Sequence, residues 1–256
     1  MIKYRLPRNI IARMQSLEYA RSFLAARILL DKINANMIIS GAFGLFEKKT
    51  VIAVGGYDNS TMGEDMELVV RLHEFSRMNR KPYKIDFAQD AICWSQTPEK
   101  LSELGKQRKR WQRGLFQCMW GHRKMLANPR YGAVGLLSYL YFLLYELLSP
   151  FIELLGVLTM VLSVMMDMLN VKFMLVFLAC YALYGILLTL TAYFSRIYTI
   201  DQRFSFRELI LAITACFFET TFLRFYLEFV RVTAFVGYKK NKLNWDKLER
   251  KKMNRI

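Results

Sequence analysis

The sequence predicts an α/β segment followed by an α-helical transmembrane region, on three observations. Apolar residues make up 54% of the chain and charged residues 23%, but the two classes are unevenly placed. Residues 1–130 read as a basic α/β segment with amphipathic runs between short apolar stretches. From Tyr131 onward long stretches carry almost no charge, and several approach the roughly 20 apolar residues a spanning helix needs.

Within the first segment, Pro7 and Asn9 precede an amphipathic run from about Ile10 to Ile33, spaced as a helix. Met37 to Phe46 reads as a strand, and its small residues Ser40, Gly41, Ala42 and Gly44 fit close backbone approach by a partner or ligand. Gly55-Gly56-Tyr57-Asp58 is a turn. A helix follows from Glu64 to about Arg77, with Met66, Val69, Val70 and Leu72 on its apolar positions. Lys84-Ile85-Asp86-Phe87 and Ala91-Ile92-Cys93-Trp94 read as two short strands. Thr97-Pro98-Glu99 offers a hydroxyl cap, an early proline and an early acid, predicting a helix that carries Leu101 through to about Met125.

The second segment, 131–238, is membrane-directed. Tyr131 to Asn170 would span roughly 60 Å as one helix, about twice a bilayer core, so it is expected to break at Pro150. Its first part reads as an interfacial helix or a weakly apolar span, its second as a clear span. Lys172 to Phe194 is another clear span, and Arg196 to Arg207 a basic loop. Glu208 to Tyr238 is apolar but carries Glu219, Arg224, Glu228 and Arg231. Residues 239–256 form a basic tail expected on the cytoplasmic side. Basic flanks on both sides of the apolar region predict an even number of crossings, two or four.

Glu146 and Glu153 would share a face if the helix ran through Pro150; Arg224 and Glu228 stand at i, i+4, with Glu228 three before Arg231. Ionisable groups at membrane depth face a bundle interior or a watery path, so a polar lining for a transit path competes here with simple interfacial placement.

The formal charge of +16 suits cytoplasmic positive bias and anionic headgroups, and would also welcome diphosphate-bearing substrates. No recognition motif or basic-aromatic stripe accompanies it, which argues against nucleic acid as a partner. Cys93, Cys118, Cys180 and Cys216 form no CxxC, which fits a reducing compartment better than a disulfide framework or zinc site. Met1 is followed by Ile-Lys-Tyr-Arg rather than an apolar signal core, placing the first segment on the cytoplasmic side.

Two patterns carry chemistry. Gly63-Glu64-Asp65 opens a helix; ordinarily such acids only complement the helix dipole, but a carboxylate at a cleft edge can also take a proton from a hydroxyl. In Gln107-Arg108-Lys109-Arg110-Trp111, the residues Gln107, Arg110 and Trp111 recur at i, i+3 and i+4 and share one face. A guanidinium there suits phosphate oxygens, and an indole gives a sugar ring an apolar plate. A basic interfacial helix anchored by its Trp is the plainer alternative.

The order Ser40-Gly41-Ala42, Gly55-Gly56-Tyr57-Asp58, Glu64-Asp65 and Gln107 to Trp111, ahead of membrane helices, resembles the processive family 2 glycosyltransferases. That group includes cellulose, hyaluronan and poly-N-acetylglucosamine synthases and chitin-oligosaccharide synthases. The likeness runs from about Gln15 to Trp111 by motif and more loosely to Trp245. The Glu-Asp pair is weakly specific; the QxxRW pattern ahead of membrane spans is strongly so. The resemblance implies a partial GT-A type α/β domain, over residues 1–130, and inverting transfer from a nucleotide-diphosphate sugar to a growing polysaccharide. It implies Asp65 as general base with Glu64 in support, and Gln107 and Arg110 at the diphosphate or acceptor end. It also implies Trp111 stacked on the acceptor sugar, and Ser40, Gly41 and Ala42 lining the acceptor side.

The family's DxD motif and nucleotide-binding half, which hold Mg or Mn and the donor, have no counterpart in this sequence. The expectation is therefore a truncated or split product whose DxD-bearing half is supplied separately. The alternatives are a catalytically inactive membrane fragment or partner subunit of a split synthase, and a non-processive transferase acting on a lipid-linked acceptor.

Overall fold

The computed structural model describes residues 9–22, 26–80, 84–88, 91, 93, 95–200, 206–238 and 243. The first helices are α1 (Ile10–Arg21), α2 (Arg27–Lys32), α3 (Lys48–Ala53), α4 (Glu64–Met78) and α5 (Leu101–Gly121). Asn9 starts α1 by accepting from the backbone N–H groups of Ile11 and Ala12 at 2.9 and 3.2 Å, satisfying two orphan donors. Glu64, Asp65 and Glu67 fill the first turn of α4, where the dipole favours acids. The α4 range agrees with the expected helix, and α5 with the expected run beyond Leu101.

No strand forms among the described residues, which corrects the expected strands at Met37–Phe46 and Lys84–Phe87. A strand exists only through a neighbour's ladder, and at Lys84–Phe87 side chains take that neighbour's place. Asn34 Oδ1 accepts from Ile85 N at 3.1 Å, and Asp31 Oδ1 from Phe87 N at 2.7 Å. Just ahead of Met37–Phe46, Ser138 Oγ donates to Ala35 O at 2.6 Å and the His73 ring to Asn36 O at 2.8 Å. In the expected strand Ala91–Trp94, Ile92 and Trp94 lie outside the described residues.

The start of α5 also differs. Its N-cap is Lys100, not Thr97. The carbonyls of Pro98 and Glu99 are taken by α1 instead, from Gln15 Nε2 at 2.8 Å and Asn9 Nδ2 at 3.2 Å. Tertiary docking thus outcompetes a good local start signal.

Beyond a short 3-10 turn, Pro129–Tyr131, the chain runs through π-helical Val134–Ser138, α6 (Tyr139–Tyr141) and π-helical Phe142–Leu147. It then bends by 44° into α7 (Ser149–Met165), which places the break at Pro150 as expected. Helix α8 (Val171–Ile200) continues through residues expected to begin a basic loop. Helix α9 (Phe206–Phe218), a π-helical run Glu219–Leu223 and α10 (Arg224–Thr233) follow. The basic tail lies outside the described residues apart from Leu243.

One apolar core gathers Met37, Met66, Val70, Cys118, Met125 and Tyr139 around α4 and α5. A second joins Met14 and Leu17 of α1 to Leu104 of α5 and to Ala212, Ala215 and Leu223. Because α5 contributes to the first through Cys118 and to the second through Leu104, it ties the two halves of the molecule together. The acid–base pairing departs from the local spacing at Arg224. Arg224 pairs with Glu153, Nε to Oε2 at 2.9 Å, rather than with Glu228 four residues on. Glu228 pairs with Arg231, whose guanidinium also lies 3.8 Å from Glu146.

Candidate active site

Helices α4 and α5 meet where neither has a side chain to keep them apart. A β-carbon added at Gly114 would lie 2.6 Å from Gly63 N and 2.8 Å from Gly63 Cα, so only glycine fits. Gln117, one turn further along α5, accepts from Met62 N at 2.7 Å and Thr61 Oγ1 at 3.1 Å. Gly63 N donates in turn to Thr61 Oγ1 at 3.2 Å. These contacts seat the first turn of α4, and with it Glu64 and Asp65, on the middle of α5.

The turn before them is locked from the other side. Gly55 and Gly56 have φ of 93° and 77°, the left-handed region open to glycine. Arg71 donates to Val54 O and Gly56 O, both at 2.7 Å, and pairs with Glu67 at 2.7 Å. His122 lies between Glu74, at 2.7 Å, and Glu67, at 3.4 Å. Burial pulls its basicity down, but the hydrogen bonds and charges of the two carboxylates outweigh it, and the ring titrates above its ordinary value.

Asp65 is aimed by backbone amides. Gly41 N donates to its Oδ2 at 3.1 Å and Met66 N to its Oδ1 at 2.8 Å. A residue 24 positions away thus orients the carboxylate. Ser40, Gly41, Ala42, Glu64, Asp65, Gln107, Arg110 and Trp111 all line one cavity of about 2680 Å³. Gln107 Oε1 is buried and has no hydrogen-bond partner among the described residues, so it is a ready acceptor for a ligand hydroxyl or amide. Trp111 is 41% exposed. Arg27 also lines the cavity; burial lowers its guanidinium to about 10, with Asp65 and Glu146 acting against that shift.

The same cavity continues past Tyr141, Tyr145 and Glu146 to Tyr181, Arg224 and Arg231. Its floor is braced by Gln112 of α5, which donates to Leu147 O at 3.0 Å and accepts from Arg231 Nε at 2.9 Å. A divalent ion, which the family resemblance implies, does not fit the described residues: no three His, Cys, Asp or Glu side chains converge among them.

The eight residues singled out in the sequence therefore share one cavity. Sequence reasoning missed Gly114, Gln117, Arg71 and Arg27. For Gly114 a signal existed: glycine in a helix interior costs about 1 kcal/mol against alanine and so points to a close approach. Gln117 and Arg71 act on backbone groups far along the chain, and nothing local marks them.

Residues 2–227 match the glycosyl transferase family group 2. Poly-beta-1,6-N-acetyl-D-glucosamine synthases of Staphylococcus aureus (strain COL) and of Staphylococcus epidermidis are each 32% identical to the chain over 120 residues. Those residues are 47% of this chain and 26% of each relative. The match thus spans about a quarter of the length of these curated relatives. No solved structure matches the chain at a significant level.

Proposed function

The chain belongs to the glycosyl transferase family group 2, and from that premise we propose that it carries the acceptor side of an inverting, processive polysaccharide synthase at a membrane. The observation that carries the reading is the 3.1 Å contact of Gly41 N with Asp65 Oδ2 in the cavity that Gln107, Arg110 and Trp111 also line. In this reading Asp65 takes the proton from an acceptor hydroxyl as that oxygen attacks the anomeric carbon of a nucleotide-diphosphate sugar. The bond to the diphosphate breaks, and configuration inverts because attack and departure occur on opposite faces. Arg110 faces the charge that builds on the leaving diphosphate. Gln107 accepts a hydrogen bond from the sugar, and Trp111 underlies the acceptor ring.

The activity for which the relatives are named, synthesis of poly-beta-1,6-N-acetyl-D-glucosamine, makes an N-acetylglucosamine polymer the first acceptor to test. In this reading the donor grip, with its divalent ion, belongs to a DxD-bearing half.

Membrane placement is supported by one helix, Val171–Leu188, of mean hydropathy 2.1 and wholly unburied in the fold, and by the bent pair Val134–Leu147 and Ser149–Met165. We read two crossings, with the site and the basic tail on the cytoplasmic side.

Asp65→Asn in the enzyme reconstituted with its donor half should lower polymer synthesis about 100- to 10,000-fold, with the fold intact. Polymer made at the normal rate would remove Asp65 as the base.

A further inference from the structure

Arg108 and Arg110 stand in the same motif but meet different surroundings. Arg108 is only 8% exposed, and its guanidinium is held by Glu18 of α1, Nη2 to Oε2 at 2.5 Å. Its central carbon lies 4.6 Å from the centroid of the Trp111 ring, one turn further along α5. Tyr19, the neighbour of Glu18, places its own ring 6.4 Å from Trp111, tilted by 39°. Glu18, Tyr19, Arg108 and Trp111 all border the main cavity.

A half-exposed tryptophan on a helix has several rotamers open to it, and a sugar that stacks on the indole must select one of them. A desolvated guanidinium over the ring favours a single arrangement. That guanidinium cannot wander, because leaving Glu18 would strand a buried charge. The carboxylate on α1 thus restrains the cation on α5, and the cation restrains the indole. We propose that Glu18 and Arg108 are positioning residues that pre-set the Trp111 ring for an acceptor sugar. The inference rests on Trp111 being the acceptor platform. It gives α1, which lies outside both chemical motifs, a part in acceptor affinity.

The test is calorimetric titration of the purified full chain in detergent with a β-1,6-linked N-acetylglucosamine hexasaccharide. Arg108→Met keeps the length of the side chain and removes its charge, and should weaken binding about tenfold. Arg108→Lys, which keeps a cation near the ring, should lose less, and Glu18→Gln should weaken binding in the same sense as Arg108→Met. In a Trp111→Ala background, Arg108→Met should cause no further loss, since the ring it positions is gone. A structural role alone would not produce that non-additivity.

Binding unchanged in both Arg108→Met and Glu18→Gln, while Trp111→Ala weakens it, would overturn the brace and leave the platform standing. An equal loss from Arg108→Met with and without Trp111 would do the same. Trp111→Ala binding as tightly as wild type, or no binding by wild type, would overturn the platform reading and the brace with it. Should Arg108→Met fail to fold, Glu18→Gln decides by the same criteria.

Discussion

The α4–α5 junction and helices α7 and α8 are built on opposite terms. At the junction, Leu68, Val69 and Val70 are fully buried, Gly63 lies against Gly114, and Gln117 and Arg71 hold backbone groups of the approaching loop. Along α8, Phe173, Val176, Phe177 and Leu187 are more than half exposed, and no residue of Val171–Leu188 is buried. The difference lies in what each surface needs. The junction must fix one geometry, and it does so with close contacts that admit one residue type. An outward apolar helix has only to match an apolar surrounding, for which lipid tails serve as well as any side chain.

Gly114→Ala should break the first half of that contrast most severely. The new methyl group would collide with Gly63 backbone, which cannot rotate away, costing about 3 kcal/mol in denaturation and displacing Asp65 from its Gly41 contact. Unaltered stability would mean the helices are not so tightly apposed.

An effect of similar size should appear on acidification. His73 is buried, its Nε2 donates to Asn36 O, and burial holds its pKa near 4 rather than 6.5, the hydrogen bond acting against the shift and Arg77 with it. The unfolded chain therefore takes up a proton first as pH falls. The stability tied to neutral His73 is complete above pH 6.5 and declines from there toward pH 4, by about 3 kcal/mol. His73→Gln should flatten that part of a stability–pH curve; an unchanged slope would assign the acid sensitivity elsewhere. His122 acts in the opposite sense, its contribution being lost as pH rises through its elevated value.

The smallest effect is expected on the other side of the contrast. Leu175→Ala, at a position 58% exposed, should change stability in lipid by less than about 0.5 kcal/mol. A loss of several kcal/mol would show that the outward face of α8 at Leu175 packs against protein rather than lipid.

Much of this was legible before any coordinates. The helical spacing of Met66, Val69, Val70 and Leu72 located α4, because burying one face of a helix needs that period. Gln107, Arg110 and Trp111 were placed on one face by the same geometry. Pro150 announced the bend, since proline removes a helical donor. The expected strand Lys84–Phe87 failed because a strand is defined by its neighbour, and Asn34 and Asp31 stand where a neighbour's carbonyls would have been. The start of α5 moved because Gln15 and Asn9, more than 80 residues away, took the carbonyls of Pro98 and Glu99.

By itself the sequence determined which residue types could do chemistry and which stretches needed an apolar surrounding, since composition and period are local properties. Only the tertiary structure decided that Gly41 aims Asp65, that Gly114 admits Gly63, and that Glu18 restrains Arg108 beside Trp111. Each of those depends on two segments meeting in space, and no local pattern encodes where a distant segment will lie.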